Sequence, residues 1–232
     1  MIGLLAGVGT GLLAAPVLRA AATRSTVPFG EPPAGCDCAA PRRLLPATGR
    51  CPGCGVQRGP RPLTVELVAA AVGAAVGSAA SWPFVLVAGW VALFGVVLAF
   101  VDVAVHRLPD ALTLPLAVGV AVLLPVAALL DHRPGVLSRC LLAAVLVGAG
   151  YGALALLGPM GLGDVKLAPV LGALLAWYGW RTVLNGVFEG FLLAAAWGLA
   201  LLLTRRAKAR DPLPFGPCML LGALLAVLAA RL

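Results

Sequence analysis

The sequence predicts an all-α membrane protein: a polytopic bundle of about eight transmembrane helices with a small cytoplasmic, zinc-ribbon-like loop. Three observations carry that prediction. Of 232 residues, 61% are hydrophobic and 11% charged, with a mean hydropathy of +1.03, whereas a soluble domain carries about 25% charged residues. Apolar runs recur at the length of roughly 20 residues needed to cross the hydrocarbon. Four of the six cysteines gather in the one extended polar stretch.

Breaks at charge, Pro and Gly divide the chain into candidate spans at 2–22, 63–80, 84–101, 112–130, 140–157, 165–180, 183–203 and 215–230. Each must pair its own backbone groups within lipid, so the spans are helices. Ala and Gly are abundant throughout, which suits close helix–helix contact. The first run has no basic segment ahead of it, so it is read as a retained span and not as a cleaved signal. Residues 23–62, rich in Pro, Gly and Arg, form a separate cytoplasmic tetracysteine loop. Residues 63–232 then make one membrane domain of about seven helices. Cys140 and Cys218, alone in apolar runs, are read as small hydrophobes.

Basic residues set the orientation. Thirteen of the seventeen Lys and Arg lie after the first, third, fifth and seventh spans, from Arg19 and Arg24 through Arg42, Arg61, Arg107 and Lys166 to Arg210. Only Arg133, Arg139, Arg181 and Arg231 fall on the other side. This positive-inside bias puts the odd loops in the cytoplasm and the termini outside. The net charge of +8 is therefore loop charge, and nucleic-acid binding is not expected. Trp177, Tyr178 and Trp180 are expected at the outer interface.

With nine acidic residues in the chain, each one near a span calls for a reason. Asp102 ends the third span and Asp164 opens the sixth. Two spans lie between them, so both carboxyl groups fall at the same, cytoplasmic edge of the bilayer. Two carboxyl groups sharing a low-dielectric site cannot both ionise easily, and they titrate as a unit. The ionised member can take a proton from water while the protonated member polarises a peptide carbonyl. Gly161 and Gly163 would let backbone approach closely beside Asp164. The plainer reading makes Asp164 the N-cap of the sixth span and Asp102 a side chain snorkelling to the headgroups. Ionisable groups within membrane spans are functional by default, however.

The stretch Asp102-Val-Ala-Val-His-Arg-Leu-Pro109-Asp110-Ala-Leu-Thr113-Leu-Pro115 resembles the first motif of the type IV prepilin peptidases, a leader peptidase family of GxGD aspartic membrane proteases. Gly161-Leu-Gly163-Asp164-Val-Lys166-Leu resembles their second motif, and Pro214-Phe215-Gly216-Pro217 a third stretch. Arg61-Pro62-Leu63 with Glu66 resembles the start of their second span. The resemblance runs in order from about residue 36 to 225. It implies an aspartic endopeptidase of the bacterial plasma membrane that cuts the basic leader of prepilin or pseudopilin-like substrates at the cytoplasmic face. Asp102 and Asp164 would be the catalytic pair, with Gly161, Gly163, Lys166, Pro109 and Asp110 shaping the site. Asp110 suits an N-cap of the fourth span, and Lys166 a contact to headgroups or substrate.

Cys36, Cys38, Cys51 and Cys54 lie within nineteen residues on the reducing side. Four thiolates are the usual shell of structural zinc, and metal would tie together a segment too small for its own core. Bifunctional members of the family carry a similar loop and also N-methylate the product with S-adenosylmethionine. Here Ala14-Ala15-Pro16-Val17-Leu18-Arg19 stands where those members carry a polar Ser-Phe-Leu-Asn stretch. The expectation is thus confined to proteolysis, with S-adenosylmethionine required only if methyl transfer is retained. The competing readings are an ion-coupled transporter using Asp102, Asp164 and Glu189, and a non-catalytic scaffold of a pilus or secretion system. Glu189, at about one-third depth in the seventh span, has Asn185 one turn earlier as an available partner. The sequence does not specify an oligomeric state.

Overall fold

Each apolar run satisfies its backbone by coiling, and eight α-helices result among the described residues. The computed structural model describes residues 2–26, 50, 59–61, 63–158, 160–205, 208 and 212–231. The helices are α1 (Ile2–Ser25), α2 (Thr64–Ala79), α3 (Val85–Val105), α4 (Asp110–Leu130), α5 (Val136–Leu157), α6 (Leu162–Ala176), α7 (Trp180–Leu203) and α8 (Gly216–Ala229). The expected helical bundle is found. The four clustered cysteines, and with them the zinc-ribbon-like loop, lie outside the described residues.

Five helices, α1, α3, α4, α5 and α7, are long and apolar enough to cross a membrane, so the chain is a multi-pass membrane protein. The other three helices are shorter than that. With 16, 15 and 14 residues, α2, α6 and α8 reach about 24, 23 and 21 Å at the helical rise of 1.5 Å per residue. That is short of a hydrocarbon core of about 30 Å. For α6 the reason is its place in the bundle. Ten of its fifteen residues are buried as it packs against α4, α5, α7 and α8, so protein, more than lipid, is its surroundings.

Helix α1 pairs with α2 through small residues. A Cβ on Gly7 would stand 2.0 Å from the Gly73 carbonyl oxygen, and one on Gly73 would stand 2.2 Å from that of Gly7. Only glycine lets the two backbones touch in this way. Beyond the glycines, Arg19 bridges the same two helices. The charge distribution places it among the orientation-setting loop residues, yet it is fully buried. Its Nε and Nη2 donate to Glu66 at 3.1 and 2.5 Å, and its Nη1 donates to the Pro60 carbonyl at 2.9 Å. A guanidinium fork matched to a carboxylate is the arrangement in which a buried charge can be held.

At the far end of the bundle, α6 stops early. Gly179 adopts φ 135 and separates α6 from α7. Trp177, expected in the lipid interface, turns inward instead and is 2% exposed. It stacks on Phe84 with ring centroids 4.8 Å apart, and Tyr178 meets Phe84 edge-on at 5.3 Å. Arg139 closes this end by donating to the carbonyls of Ala176 and Trp177 at 2.7 and 3.0 Å. Trp180 remains exposed, as an interfacial ring would be. Cys140 and Cys218 are buried free thiols, in keeping with their reading as small hydrophobes.

Candidate active site

Four helix ends converge at the end of the bundle opposite Trp177. Asp102 sits in the last turn of α3, which His106 terminates by adopting φ 51 and donating its amide to the Asp102 carbonyl at 2.8 Å. The Asp102 side chain is 5% exposed. Its Oδ2 accepts a hydrogen bond from the Gly216 amide, the first of α8, at 2.9 Å. Snorkelling is therefore not what Asp102 does; it turns inward and is fixed by a backbone donor. A Cβ at position 216 would stand 3.0 Å from that same oxygen, so any larger residue would press on the carboxyl group.

Asp164 arrives on α6. Its N-cap is Gly161, with φ −68 and ψ 137, so Asp164 is the third residue of the first turn and not the cap the plainer reading made it. Its amide donates to the Gly161 carbonyl at 3.1 Å, and its carboxyl group, 8% exposed, lies where the helix dipole favours negative charge. A Cβ on Gly161 would come within 3.2 Å of Asp164 Oδ2, so the bare glycine leaves that oxygen accessible from its own turn. Leu108 packs between Gly163, the residue before Asp164, and Gly216, the donor to Asp102. The two carboxyl groups, 62 positions apart in the sequence, thus share one buried environment.

Leu108 sets the spacing between them. The segment from His106 to Pro109 crosses from α3 to α4, and along it Leu108 is 8% exposed. A Cβ on Gly163 would stand 2.7 Å from Leu108 Cβ, and one on Gly216 would stand 3.6 Å from its Cδ2. Leu108 is therefore wedged between the helix ends that carry Asp164 and the Asp102 donor. Pro109 is the N-cap of α4 and Asp110 its first helical residue, with no side-chain cap bond. The N-cap role expected of Asp110 is thus taken by Pro109. Asp110 instead pairs with Lys166 Nζ, joining the two motifs across the rim. Lys166 keeps half of its side chain exposed while it makes this ion pair.

Aromatic rings wall the other side. Tyr151, on α5 and 4% exposed, stacks on Phe191 at 5.6 Å and lies 6.1 Å from Phe215. Sequence reasoning passed over Tyr151, although a phenol in an otherwise apolar run was a usable signal. It also assigned no role to Leu108 or to the Gly216 amide. Glu189 is separate. Its Oε2 is buried without a hydrogen-bond partner among the described residues, and Asn185, the partner expected for it, is exposed.

Two buried carboxyl groups brought to one end of an apolar bundle are the ingredients of a carboxyl dyad. Comparison with known proteins points the same way. The model of the type IV leader peptidase family matches residues 89–203, which include Asp102 and Asp164. Leader peptidase HopD of Salmonella typhimurium is 35% identical over 140 residues, covering 54% of this chain and 81% of that protein. The chain belongs to the type IV leader peptidase family.

A prepilin leader peptidase/N-methyltransferase of Aeromonas hydrophila is 32% identical over 186 residues, 78% of this chain. One of Bacillus subtilis is 39% identical over 71 residues, 31% of this chain and 27% of that protein. The chain spans 62% of the length of the Aeromonas relative. No solved structure matches. For a member of the type IV leader peptidase family, the fixed points of the site are thus Asp102 with its Gly216 donor, Asp164 in the first turn of α6, and the Leu108 wedge between them.

Proposed function

We propose that this protein is an aspartic endopeptidase that removes the basic leader of type IV prepilin-like or pseudopilin-like proteins at the cytoplasmic face of the bacterial plasma membrane. Asp102 and Asp164 are its catalytic pair. The observation that carries the proposal is their joint burial at one end of the bundle, on either side of the Leu108 wedge. Asp102 Oδ2 is engaged by the Gly216 amide, so its other oxygen is left to face water or the shared proton. One carboxyl group takes a proton from the attacking water while the other donates to the oxygen of the scissile carbonyl. The dyad acts as a unit, so neither aspartate is assigned the proton alone.

The relatives, prepilin leader peptidases among them, support the substrate class. The cytoplasmic orientation rests on the distribution of Lys and Arg along the sequence. A loop at 23–62 in which Cys36, Cys38, Cys51 and Cys54 hold one structural zinc is part of the proposal, supported by their number and spacing. Its role is cohesion of that loop, apart from the chemistry. Methyl transfer is left out of the proposal because residues 14–19 depart from the bifunctional pattern.

The test is co-expression with a prepilin-like protein and a gel-shift readout of leader removal. The wild-type chain should convert the substrate to the shorter form, and Asp164→Asn should leave it full length while still inserting in the membrane. Substrate left uncut beside wild-type protein would overturn the proposal.

A further inference from the structure

The end of the bundle that holds the aspartates carries mostly positive charge. Arg24, Arg61, Arg107, Lys166, Arg205 and Lys208 are all exposed there. A basic leader would be repelled by such a surface unless a carboxylate received it. Among the described residues at this end, four carry carboxyl groups. Glu66 is committed to the buried Arg19, and Asp102 and Asp164 are themselves buried. Asp110 alone is exposed, its side chain 72% accessible.

Its position is as informative as its exposure. Asp110 is the first residue of α4, two positions beyond the Leu108 wedge, and Lys166 stands two positions beyond Asp164. Their ion pair therefore spans the rim of the dyad, from one aspartate motif to the other. An ion pair this exposed adds little to stability. It does keep a cation on Asp110, in a place that a second cation of suitable reach could take. Exchange of one ammonium for another preserves local neutrality, whereas an uncharged leader would have nothing to offer in return.

We propose that Asp110 is a specificity-determining residue: a Lys or Arg of the substrate leader displaces Lys166 from it and so lays the scissile bond over the dyad. This rests on the peptidase reading and deepens it by naming what recognises the leader. Lys166 acts as an internal competitor that holds the site closed to uncharged segments. Removing it should tighten binding of a basic leader, the opposite of what loss of a structural ion pair would do.

The experiment uses the full chain reconstituted in liposomes, with two synthetic prepilin-like substrates. One has lysines in its leader and the other has glutamines at the same positions. Wild-type protein should favour the lysine leader in kcat/KM. In Asp110→Asn that preference should shrink by about five- to tenfold. Asp110→Lys should invert it, so that a third substrate with a glutamate leader is cut better than the lysine one. Lys166→Met should lower KM for the lysine leader. The proposal is overturned if Asp110→Asn slows both leaders equally and Lys166→Met raises KM, because the pair would then be structural only. It is also overturned if Asp110→Lys keeps the wild-type order. A wild-type protein that cuts no leader overturns the peptidase reading itself, and this inference with it.

Discussion

Replacing Gly163 with alanine tests whether the spacing of the two aspartates matters. The new Cβ would stand 2.7 Å from Leu108 Cβ, 3.1 Å from its Cδ1 and 3.2 Å from its Cγ. Rotating Leu108 moves the outer atoms but not Cβ, so relief must come from the backbone. Carbon atoms prefer about 3.5–4.0 Å, and the two segments must therefore part by about 1 Å. One segment carries Asp164 and the other leads back to Asp102. Overpacking of this kind costs about 1–3 kcal/mol of stability, which a membrane bundle can bear. The effect on rate is larger, because a shift of about 1 Å in reacting groups costs on the order of 10²-fold. The assay is initial-rate cleavage of a prepilin-like substrate by protein purified in detergent, with thermal unfolding to verify folding. The loss should fall on kcat. Gly152→Ala serves as the control: its Cβ would meet Val165 Cγ1 at 3.9 Å, an ordinary contact, and the rate should stay within about twofold of wild type, consistent with the helix-interior gain alanine brings. A folded Gly163→Ala protein with kcat within about threefold of wild type would refute the wedge, because the shift expected from the geometry would then carry no catalytic cost.

Two further outcomes are expected. Arg19→Met should leave Glu66 without its counter-charge and lower stability by about 3 kcal/mol, the low end for a broken buried pair because Glu66 keeps some exposure; Arg19→Met/Glu66→Leu should recover most of that loss in the detergent unfolding midpoint. Metal analysis should find roughly one zinc per chain in the wild-type protein and none in Cys51→Ser/Cys54→Ser, and equal metal in both would dismiss the zinc loop.

Much of this architecture is legible in the sequence, and particular residues show where legibility ends. Counting spans puts Asp102 and Asp164 at one end of the bundle, where Leu108 packs against both Gly163 and Gly216. The count needs only the parity of crossings, which errors of a few residues at span ends leave unchanged. The limits of α6 were harder to read. Its apolar run continues through Trp177 to Trp180, but Gly179 breaks the helix and Trp177 is drawn inward by Phe84, 93 positions away in the sequence. Arg19 read as loop charge because its partner Glu66 lies 47 residues further on. The Gly216 donor to Asp102 is separated from it by 114 residues. Leu108 offered no signal, since a leucine beside a proline looks like any short connector. What hydropathy and charge encode locally was readable; what depends on contacts between distant segments was not.

The account stands on Asp102 and Asp164 working as one chemical unit. The most direct measurement compares leader cleavage by Asp102→Asn, Asp164→Asn and the double variant, each purified and shown to be folded. Each single variant should lose activity by at least about 10³-fold, and the double variant should be no worse than either, as expected of groups that act together. Cleavage near the wild-type rate by either single variant would contradict the account.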